Sequence, residues 1–174
     1  MAPTQTKPQN IFLVDDDEED RELFSEALSQ VDESIRLTEM SSCFKLMETL
    51  DNPEAPKPDI IFLDMDIPKF SGLECLKKLK ASKKIKNLKI VVLSTYSHPQ
   101  YIDEAYKNGA SCYYVKPSRF AKLKEIISDA LQGNWKNQLP NKRRFFINNG
   151  AALLFVSCYL FVYCIQTVIK AQGF

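Results

Sequence analysis

The feature that most constrains the fold is a short apolar run that ends abruptly in acidic residues. The run Ile60–Leu63 contains no polar residue, and Asp64, Met65 and Asp66 follow it directly. Such a run without alternation is typical of a strand buried on both faces of a parallel sheet. Pro68 then prevents a simple continuation of the strand. Acids at this point lie where open α/β sheets bind ligands, although ordinary turn residues would give the same local sequence.

Strand-like and helix-like patterns alternate five times along the chain. The predicted strands are Ile11–Val14, Ile35–Met40, Ile60–Leu63, Ile90–Leu93 and Cys112–Val115. Pro99 suits the first turn of the fourth helix, Asn108-Gly109 suits its end, and Ser118 is the predicted cap of the fifth. This alternation predicts an α/β fold, in which parallel strands are joined by right-handed helical crossovers.

Composition and charge narrow the classes of function. The 174 residues include 23 Lys and Arg against 22 Asp and Glu, so the balance gives no sign of bulk affinity for nucleic acid. A single histidine, His98, excludes a multi-histidine metal site. The cysteines form no C-x-x-C pair and lie in apolar or helical patterns, which predicts reduced, buried thiols. They are Cys43, Cys75, Cys112, Cys158 and Cys164. The polar start of the chain predicts no cleavable signal peptide, and hence a cytoplasmic protein.

Polar side chains follow four of the predicted strands at the point where each strand ends. They are Asp15 and Asp16, Asp64 and Asp66, Ser94, and Lys116. The carboxyl ends of parallel strands share one edge of the sheet, so these groups are expected to converge. Carboxylates packed together repel one another, and Mg²⁺ suits such oxygen ligands better than zinc. A hydroxyl, an ammonium and Mg²⁺ together match a phosphoryl group, for which a carboxylate can act as nucleophile.

The acids between Asp17 and Asp20 have a simpler explanation. They come at the start of the first predicted helix, where negative charge is favoured by the helix dipole. That explanation covers most of them, but it does not cover Asp15 and Asp16, which come directly off a buried strand.

Four motifs in this order resemble the receiver domain of two-component response regulators, of the chemotaxis-regulator type. They are Leu13-Val14-Asp15-Asp16, Leu63-Asp64-Met65-Asp66-Ile67-Pro68, Leu93-Ser94-Thr95 and Val115-Lys116-Pro117. The resemblance covers residues 10–132. It implies a flavodoxin-like, doubly wound sheet of five parallel strands in the order 2-1-3-4-5, with helices on both faces.

The resemblance also implies a role for each acidic residue of the motifs. Asp64 matches the aspartate that accepts a phosphoryl group from the phosphohistidine of a histidine kinase. Asp16 matches the direct Mg²⁺ ligand, and Asp15 the one that acts through water. Asp66 matches the residue whose backbone carbonyl completes the metal site. Its side chain, like that of Tyr96, matches a position that tunes the lifetime of the phosphoryl group.

The remaining motif residues match the phosphoryl-binding and switch positions. Ser94, followed by Thr95, matches the hydroxyl residue that moves towards the phosphoryl group, and Lys116 matches the lysine that pairs with it. The Lys116–Pro117 bond matches one that is cis in the family. Tyr113 matches an aromatic switch residue that alters partner binding on the face of the fourth helix, fifth strand and fifth helix. An ordinary half-buried strand tyrosine fits Tyr113 equally well.

The chain beyond the receiver adds an apolar tail. We predict a mobile lead (1–9), a basic polar connector (133–144) and a hydrophobic helix (145–170), of which Ala151–Ile165 is almost wholly apolar. A span of ~20 apolar residues can cross a bilayer, and the preceding basic cluster would keep the receiver on the cytoplasmic side of the inner membrane. The alternative is a segment packed on the receiver or on a homodimer partner. In both alternatives the tail is too short to be a DNA-binding output domain, so no direct DNA binding is expected.

Three functions are consistent with these residues. The first is a stand-alone, non-enzymatic receiver whose partner is a histidine kinase or phosphotransfer protein. The second is a haloacid-dehalogenase-like phosphatase with Asp64 as nucleophile and Asp66 as acid/base, although that family has its motif on the first strand. The third is a membrane-tethered adaptor in which phosphorylation is incidental.

Overall fold

Five helices alternate with the strands of the sheet in a computed structural model. It describes residues 8–67, 71–82, 85 and 88–133, together with the backbone of 146–147. The strands are β1 (Asn10–Val14), β2 (Arg36–Met40), β3 (Ile60–Asp64), β4 (Lys89–Ser94), β5 (Cys112–Val115) and β6 (Phe146–Ile147). The helices are α1 (Glu18–Val31), α2 (Cys43–Asp51), α3 (Gly72–Ala81), α4 (Pro99–Lys107) and α5 (Phe120–Gln132).

The sheet has the order β2-β1-β3-β4-β5-β6, and all of its neighbouring strands are parallel. This confirms the predicted order 2-1-3-4-5 of the first five strands. The short strand β6 adds a sixth, because Phe146 and Ile147 pair with Tyr113 and Tyr114. The predicted hydrophobic segment 145–170 therefore starts with a strand where a helix was expected. The rest of that segment lies outside the described residues, as do 1–7 of the lead and 134–144 of the connector.

Helices cover both faces of the sheet, and each face has its own apolar core. On one face, residues of β1, β3, β4 and β5 pack against α1 and α5. This core includes Phe24, Leu28, Phe62, Ile126 and Ile127. On the other face, the alternate strand residues pack against α2, α3 and α4. This core includes Phe12, Leu46, Leu63, Leu76 and Tyr113. Burial on both faces is the reason that β1 and β3 are apolar without alternation.

Local sequence determines most of the helix ends. Asp17 caps α1, since its side chain accepts hydrogen bonds from the backbone N–H groups of Glu19 and Asp20. Pro99 is the first residue of α4, and Gly109 follows that helix with φ of 88°. The prediction that Ser118 caps α5 was wrong. Arg119 occupies the cap position without a side-chain hydrogen bond, and Ser118 lies one residue too early to reach the first free N–H groups.

A disulfide links α2 to α3. Cys43 and Cys75 are joined with their Cα atoms 5.8 Å apart, so the prediction of reduced thiols was wrong for this pair. They lie 32 residues apart in sequence, and nothing in their spacing shows that the two helices are neighbours on one face of the sheet. Cys112 is free and buried, as predicted. Cys158 and Cys164 lie outside the described residues.

Within the described ranges, no helix combines the length and the apolar character that a membrane crossing requires. The segment for which a membrane anchor was predicted is not among these residues, so that prediction stays open.

Candidate functional site

The carboxyl edge of the sheet brings four of the predicted site residues into register. Backbone hydrogen bonds continue the strand ladders up to and just beyond the strand ends. Asp15 N–H donates to the Met40 carbonyl (3.0 Å), and Lys116 N–H donates to the Ser94 carbonyl (2.8 Å). Asp64 is the last residue of β3 and pairs with Leu93 of β4. The positions of Asp15, Asp64, Ser94 and Lys116 are therefore set by the rigid sheet.

Three carboxylates form a cluster at this edge. Asp15, Asp16 and Asp64 each offer an oxygen within 4.8 Å of the others. Asp15 and Asp64 are 2% and 3% exposed, whereas Asp16 is exposed. Hard oxygen donors in this number and spacing suit a divalent cation such as Mg²⁺ or Mn²⁺. The cluster could therefore hold a divalent metal ion.

Backbone amides orient the two buried carboxylates of the cluster. Asp15 Oδ1 accepts from the N–H of Asp17 (3.1 Å), and Asp64 Oδ1 accepts from the N–H of Asp66 (2.9 Å). In each case the N–H belongs to the residue two positions later, which is a local Asx turn. The second oxygen of each carboxylate is left to face the centre of the pocket.

Lys116 lies at that centre. Its Nζ donates to Asp15 Oδ2 (2.8 Å), Asp20 Oδ2 (2.7 Å) and Asp64 Oδ2 (2.9 Å). Burial by itself lowers the pKa of Lys116, but the three hydrogen bonds outweigh it, and the pKa lies above its ordinary value. Lys116 is therefore a permanent cation that neutralises part of the acidic cluster.

The pKa values of the two buried acids are raised as well, but here burial is the larger effect and the hydrogen bonds act against it. Burial raises the pKa of Asp15 to about 6, although its hydrogen bond to Lys116 acts against the shift. Burial also raises the pKa of Asp64, against the Asp66 amide and Lys116. We conclude that desolvation exceeds pairing at both carboxyl groups. A bound divalent cation would favour their charged forms.

A glycine allows α3 to start close to the site. Gly72 is the first residue of α3, and its N–H donates to the Met65 carbonyl (3.3 Å). A Cβ at this position would collide with the backbone of Asp64 and Met65. Glycine is therefore required here by close approach of the backbones and not by a special φ angle.

A second group of polar residues lies beside the cluster, at the ends of β4 and β5. Tyr113 is fully buried, and its hydroxyl donates to the Tyr96 carbonyl (2.7 Å). The buried hydroxyl of Ser94 accepts from Tyr96 N–H (3.1 Å). Burial raises the pKa of Tyr113, while a hydrogen bond with Ser94 acts in the other direction. Ser94, Tyr96 and Tyr113 thus form one connected unit.

Asp66 and Thr95 are paired with each other. Asp66 Oδ2 accepts from Thr95 N–H (3.1 Å) and from Thr95 Oγ1 (2.7 Å). The side chain of Asp66 is thereby held by the end of β4, and it does not belong to the three-carboxylate cluster of the described residues.

The Lys116–Pro117 bond is not cis, because the described residues contain no cis peptide bond. The prediction of a cis bond was therefore wrong for this structure. In the trans form the Lys116 side chain already reaches three carboxylates, and trans is also the form that an X–Pro bond prefers by about 0.5–1 kcal/mol.

Sequence reasoning missed Asp20. The helix dipole accounts for an acid in the first turn of α1, but Asp20 also binds Lys116 across the site. A usable signal was present, since a helix starting at Glu18 places Asp20 in the turn directly above the end of β1. Asp17 lies at the start of α1, where an acid was expected, and its side chain caps that helix.

The comparison with protein families agrees with this geometry. Residues 11–128 match the model of the response regulator receiver domain. The chain belongs to the response regulator receiver family. Among its relatives, the two-component response regulator ORR11 of Oryza sativa subsp. indica is 30% identical over 124 residues, which cover 71% of this chain and 82% of the relative. Response regulator Rcp1 of Synechocystis sp. is 26% identical over 131 residues, covering 73% and 89%.

Solved structures of other receivers share the fold. The phosphorylated cyanobacterial phytochrome response regulator RcpA is 28% identical, with a TM-score of 0.66, and the match covers 76% of this receiver and 98% of that chain. The Mn²⁺-bound form of Rcp1 is 25% identical, with a TM-score of 0.64 and coverage of 76% and 97%. The second of these shows that a related receiver binds a divalent metal ion.

Proposed function

We propose that this receiver is a phosphorylation switch in which Asp64 accepts a phosphoryl group from the phosphohistidine of a histidine kinase or phosphotransfer protein. In that transfer an Asp64 carboxylate oxygen forms the P–O bond as the P–N bond breaks, and the donor histidine, already protonated on its other ring nitrogen, leaves as a neutral imidazole. One observation carries the proposal: Lys116 Nζ lies 2.9 Å from Asp64 Oδ2, inside a cluster that also contains Asp15 and Asp16. A phosphoryl group added to Asp64 would lie beside a cation.

The residues of the site would divide the work of this transfer. The Asp66 N–H holds Asp64 Oδ1 and so orients the carboxylate, while Lys116 neutralises charge that develops on the phosphoryl oxygens. Asp15, Asp16, Asp64 and the backbone carbonyl of Asp66 are the groups that would hold Mg²⁺. When bound, the ion supplies further neutralisation of the acids and the phosphoryl oxygens.

The unit of Ser94, Tyr96 and Tyr113 would transmit the change, together with Thr95. A move of the Ser94 hydroxyl towards a phosphoryl group breaks its bond with Tyr96 N–H, and Tyr96 also accepts from Tyr113. Tyr96 and Tyr101 stack with centroids 4.8 Å apart and are 49% and 42% exposed, on the side of the molecule formed by α4 and β5. Phosphorylation of Asp64 would thus change the conformation of the α4–β5–α5 face, where a protein partner binds.

This assignment is a non-enzymatic signalling role in the cytoplasm. Residues 10–132 would form the signalling unit, and the tail 145–170 would act either as a tether to the inner membrane or as a contact in a homodimer. The partner that supplies phosphate is to be found by phosphotransfer profiling. Because RcpA is a phytochrome response regulator, phytochrome-type kinases belong in that panel.

The direct test is phosphorylation by a small phosphodonor. With acetyl phosphate and Mg²⁺, we expect about one acyl phosphate per chain, measured by intact-protein mass spectrometry and removed by hydroxylamine. Asp64→Asn should abolish the adduct, because the nucleophilic oxygen is lost. A wild-type protein that stays unmodified, or one modified equally in Asp64→Asn, would contradict the proposal.

Asp66→Asn separates the switch from a phosphatase. In the switch, Asp66 contributes its backbone carbonyl, which the substitution retains, so the adduct should still form. In a dehalogenase-like phosphatase, Asp66 would be the acid/base, and the same substitution would stop turnover of phosphomonoesters. The bonds from Thr95 to the Asp66 side chain support the first alternative. Many turnovers by the wild type, lost in Asp66→Asn, would favour the second.

A further inference from the structure

Asp20 completes the hydrogen bonding of Lys116. An ammonium group has three N–H donors, and Lys116 directs them at three separate carboxylates. The distances are 2.7 Å to Asp20, 2.8 Å to Asp15 and 2.9 Å to Asp64. Every donor is therefore used, and Lys116 can meet a phosphoryl oxygen only if one of these bonds is released.

The three partners of Lys116 are not equivalent. The side chains of Asp15 and Asp64 are 3% and 4% exposed, and both belong to the cluster that could hold a metal ion. The Asp20 side chain is 42% exposed, lies on the first turn of α1 and is outside that cluster. Asp20 therefore reaches the site through the Lys116 ammonium.

We propose that Asp20 is a positioning residue that holds Lys116 on the α1 side of the pocket, and so favours a cation and opposes an anion beside Asp64. This inference rests on the proposed function, because it takes Lys116 as the group that meets the phosphoryl oxygens. Asp20 shares the positive charge of the Lys116 ammonium with Asp15 and Asp64, so these two carboxylates keep more of their attraction for a metal ion. The same bond withholds a donor from a phosphoryl group.

Removal of the Asp20 charge should therefore move two affinities in opposite directions. In Asp20→Asn, the Lys116 ammonium interacts more strongly with Asp15 and Asp64, and the pocket loses one negative charge. A divalent cation therefore binds more weakly. The bond from Lys116 to the neutral amide oxygen of Asn is weaker than the bond to a carboxylate, so this donor is released more easily and a phosphoryl-like anion binds more tightly. A merely structural role for Asp20 would weaken both.

The test uses the full chain and two probes. Mn²⁺ binding is measured from the EPR signal of the free ion, and beryllofluoride binding is measured by ¹⁹F NMR at saturating Mg²⁺. For Asp20→Asn we expect the Mn²⁺ Kd to rise about threefold and half-saturation by beryllofluoride to need about threefold less, the size of effect typical of a partly exposed ion pair. Asp20→Glu, which keeps the charge, should return both values towards the wild type.

Glu19→Gln is the matched control. Glu19 is exposed in the same first turn of α1, and it is not one of the three carboxylates bound by Lys116. The substitution removes the same charge and should leave both affinities unchanged. Parallel shifts of the two affinities in Asp20→Asn, no shift, or the same shifts in Glu19→Gln would overturn the inference. A wild type that binds neither probe would overturn the proposed function as well.

Discussion

At Asp15, two physical effects act on one carboxyl group in opposite directions. Burial removes water from the charged form, while the ammonium of Lys116 and the amide of Asp17 stabilise it. Burial is the larger effect and raises the pKa from 3.8 to about 6. The rest of the fold thus keeps the charged form of Asp15 in an unfavourable environment, which is common at functional sites.

The raised pKa of Asp15 predicts a pH dependence of stability. Between about pH 4 and pH 6 the unfolded chain releases the Asp15 proton and the folded chain retains it, so the contribution of Asp15 to the free energy of unfolding falls as pH rises. A shift from 3.8 to about 6 limits this loss to about 3 kcal/mol. Urea unfolding in EDTA should show a larger loss in the wild type than in Asp15→Asn, in which only the raised pKa of Asp64 still contributes.

The control for that prediction is Asp16→Asn, which removes an exposed carboxylate of the same cluster. It tests whether the fall in the free energy of unfolding with rising pH comes from the buried Asp15 carboxyl group or from the net charge of the cluster. Parallel pH dependences for the wild type and Asp15→Asn would contradict the assignment of the raised pKa to Asp15.

Among the elements, α3 is tied to the rest of the molecule at both its start and its first turn. Its first residue, Gly72, lies against the backbone that follows β3, and Cys75 is joined to Cys43 at the start of α2. The disulfide therefore closes a stretch of chain that contains β3 and Asp64. Both cysteines are almost fully buried, so the link forms part of the core between the two helices.

Loss of the disulfide should destabilise the fold without removing the acidic cluster. For a sequence separation of 32 residues, the chain-entropy model predicts a loss of about 3–4 kcal/mol in the free energy of unfolding. Urea unfolding of Cys75→Ser, compared with the wild type, measures it. Dithiothreitol should lower the stability of the wild type and leave Cys75→Ser unaffected. Equal responses to the reductant would contradict this role of the Cys43–Cys75 link.

For the molecule as a whole, stability depends on two apolar cores separated by the sheet. Phe62 of β3 belongs to the core beneath α1 and α5. Its ring packs edge-on against that of Phe24, with the two ring centroids 4.8 Å apart. Leu63, the next residue, belongs to the opposite core. Adjacent residues of one strand thus hold the two helix layers, and Asp64 follows directly where the strand leaves the core.

Two phenylalanines test how far burial determines the stability of the whole domain. Phe62→Ala removes a fully buried ring and should cost about 3–5 kcal/mol in the free energy of unfolding. Phe44→Ala is the matched control, since Phe44 of α2 is 77% exposed and its loss should change stability by less than about 0.5 kcal/mol. Chemical denaturation measures both. Comparable losses would contradict the assignment of Phe62 to the core.

Much of the fold could be predicted because apolar patterning is a local property. Unbroken apolar runs at Ile11–Val14 and Ile60–Leu63 indicate strands covered on both faces. The polar residues at the ends of four predicted strands identified Asp15, Asp64, Ser94 and Lys116 as neighbours. Phe44 shows the limit of this reasoning. It is apolar and belongs to α2, yet it is exposed, because the buried residues Cys43, Leu46 and Leu50 follow helical spacing and Phe44 lies off that line.

The sequence by itself determined the alternation of strands and helices, and with it the edge at which acids, hydroxyl and lysine meet. Such features follow from spacing along the chain. Only the tertiary structure decided contacts between distant segments: the Cys43–Cys75 link, the pairing of β6 with β5, and the bond from Asp20 to Lys116. These contacts depend on the relative positions of packed elements. The place of Asp20 in the first turn of α1 indicates that it lies near the end of β1, but it does not identify Lys116, 96 residues away, as its partner.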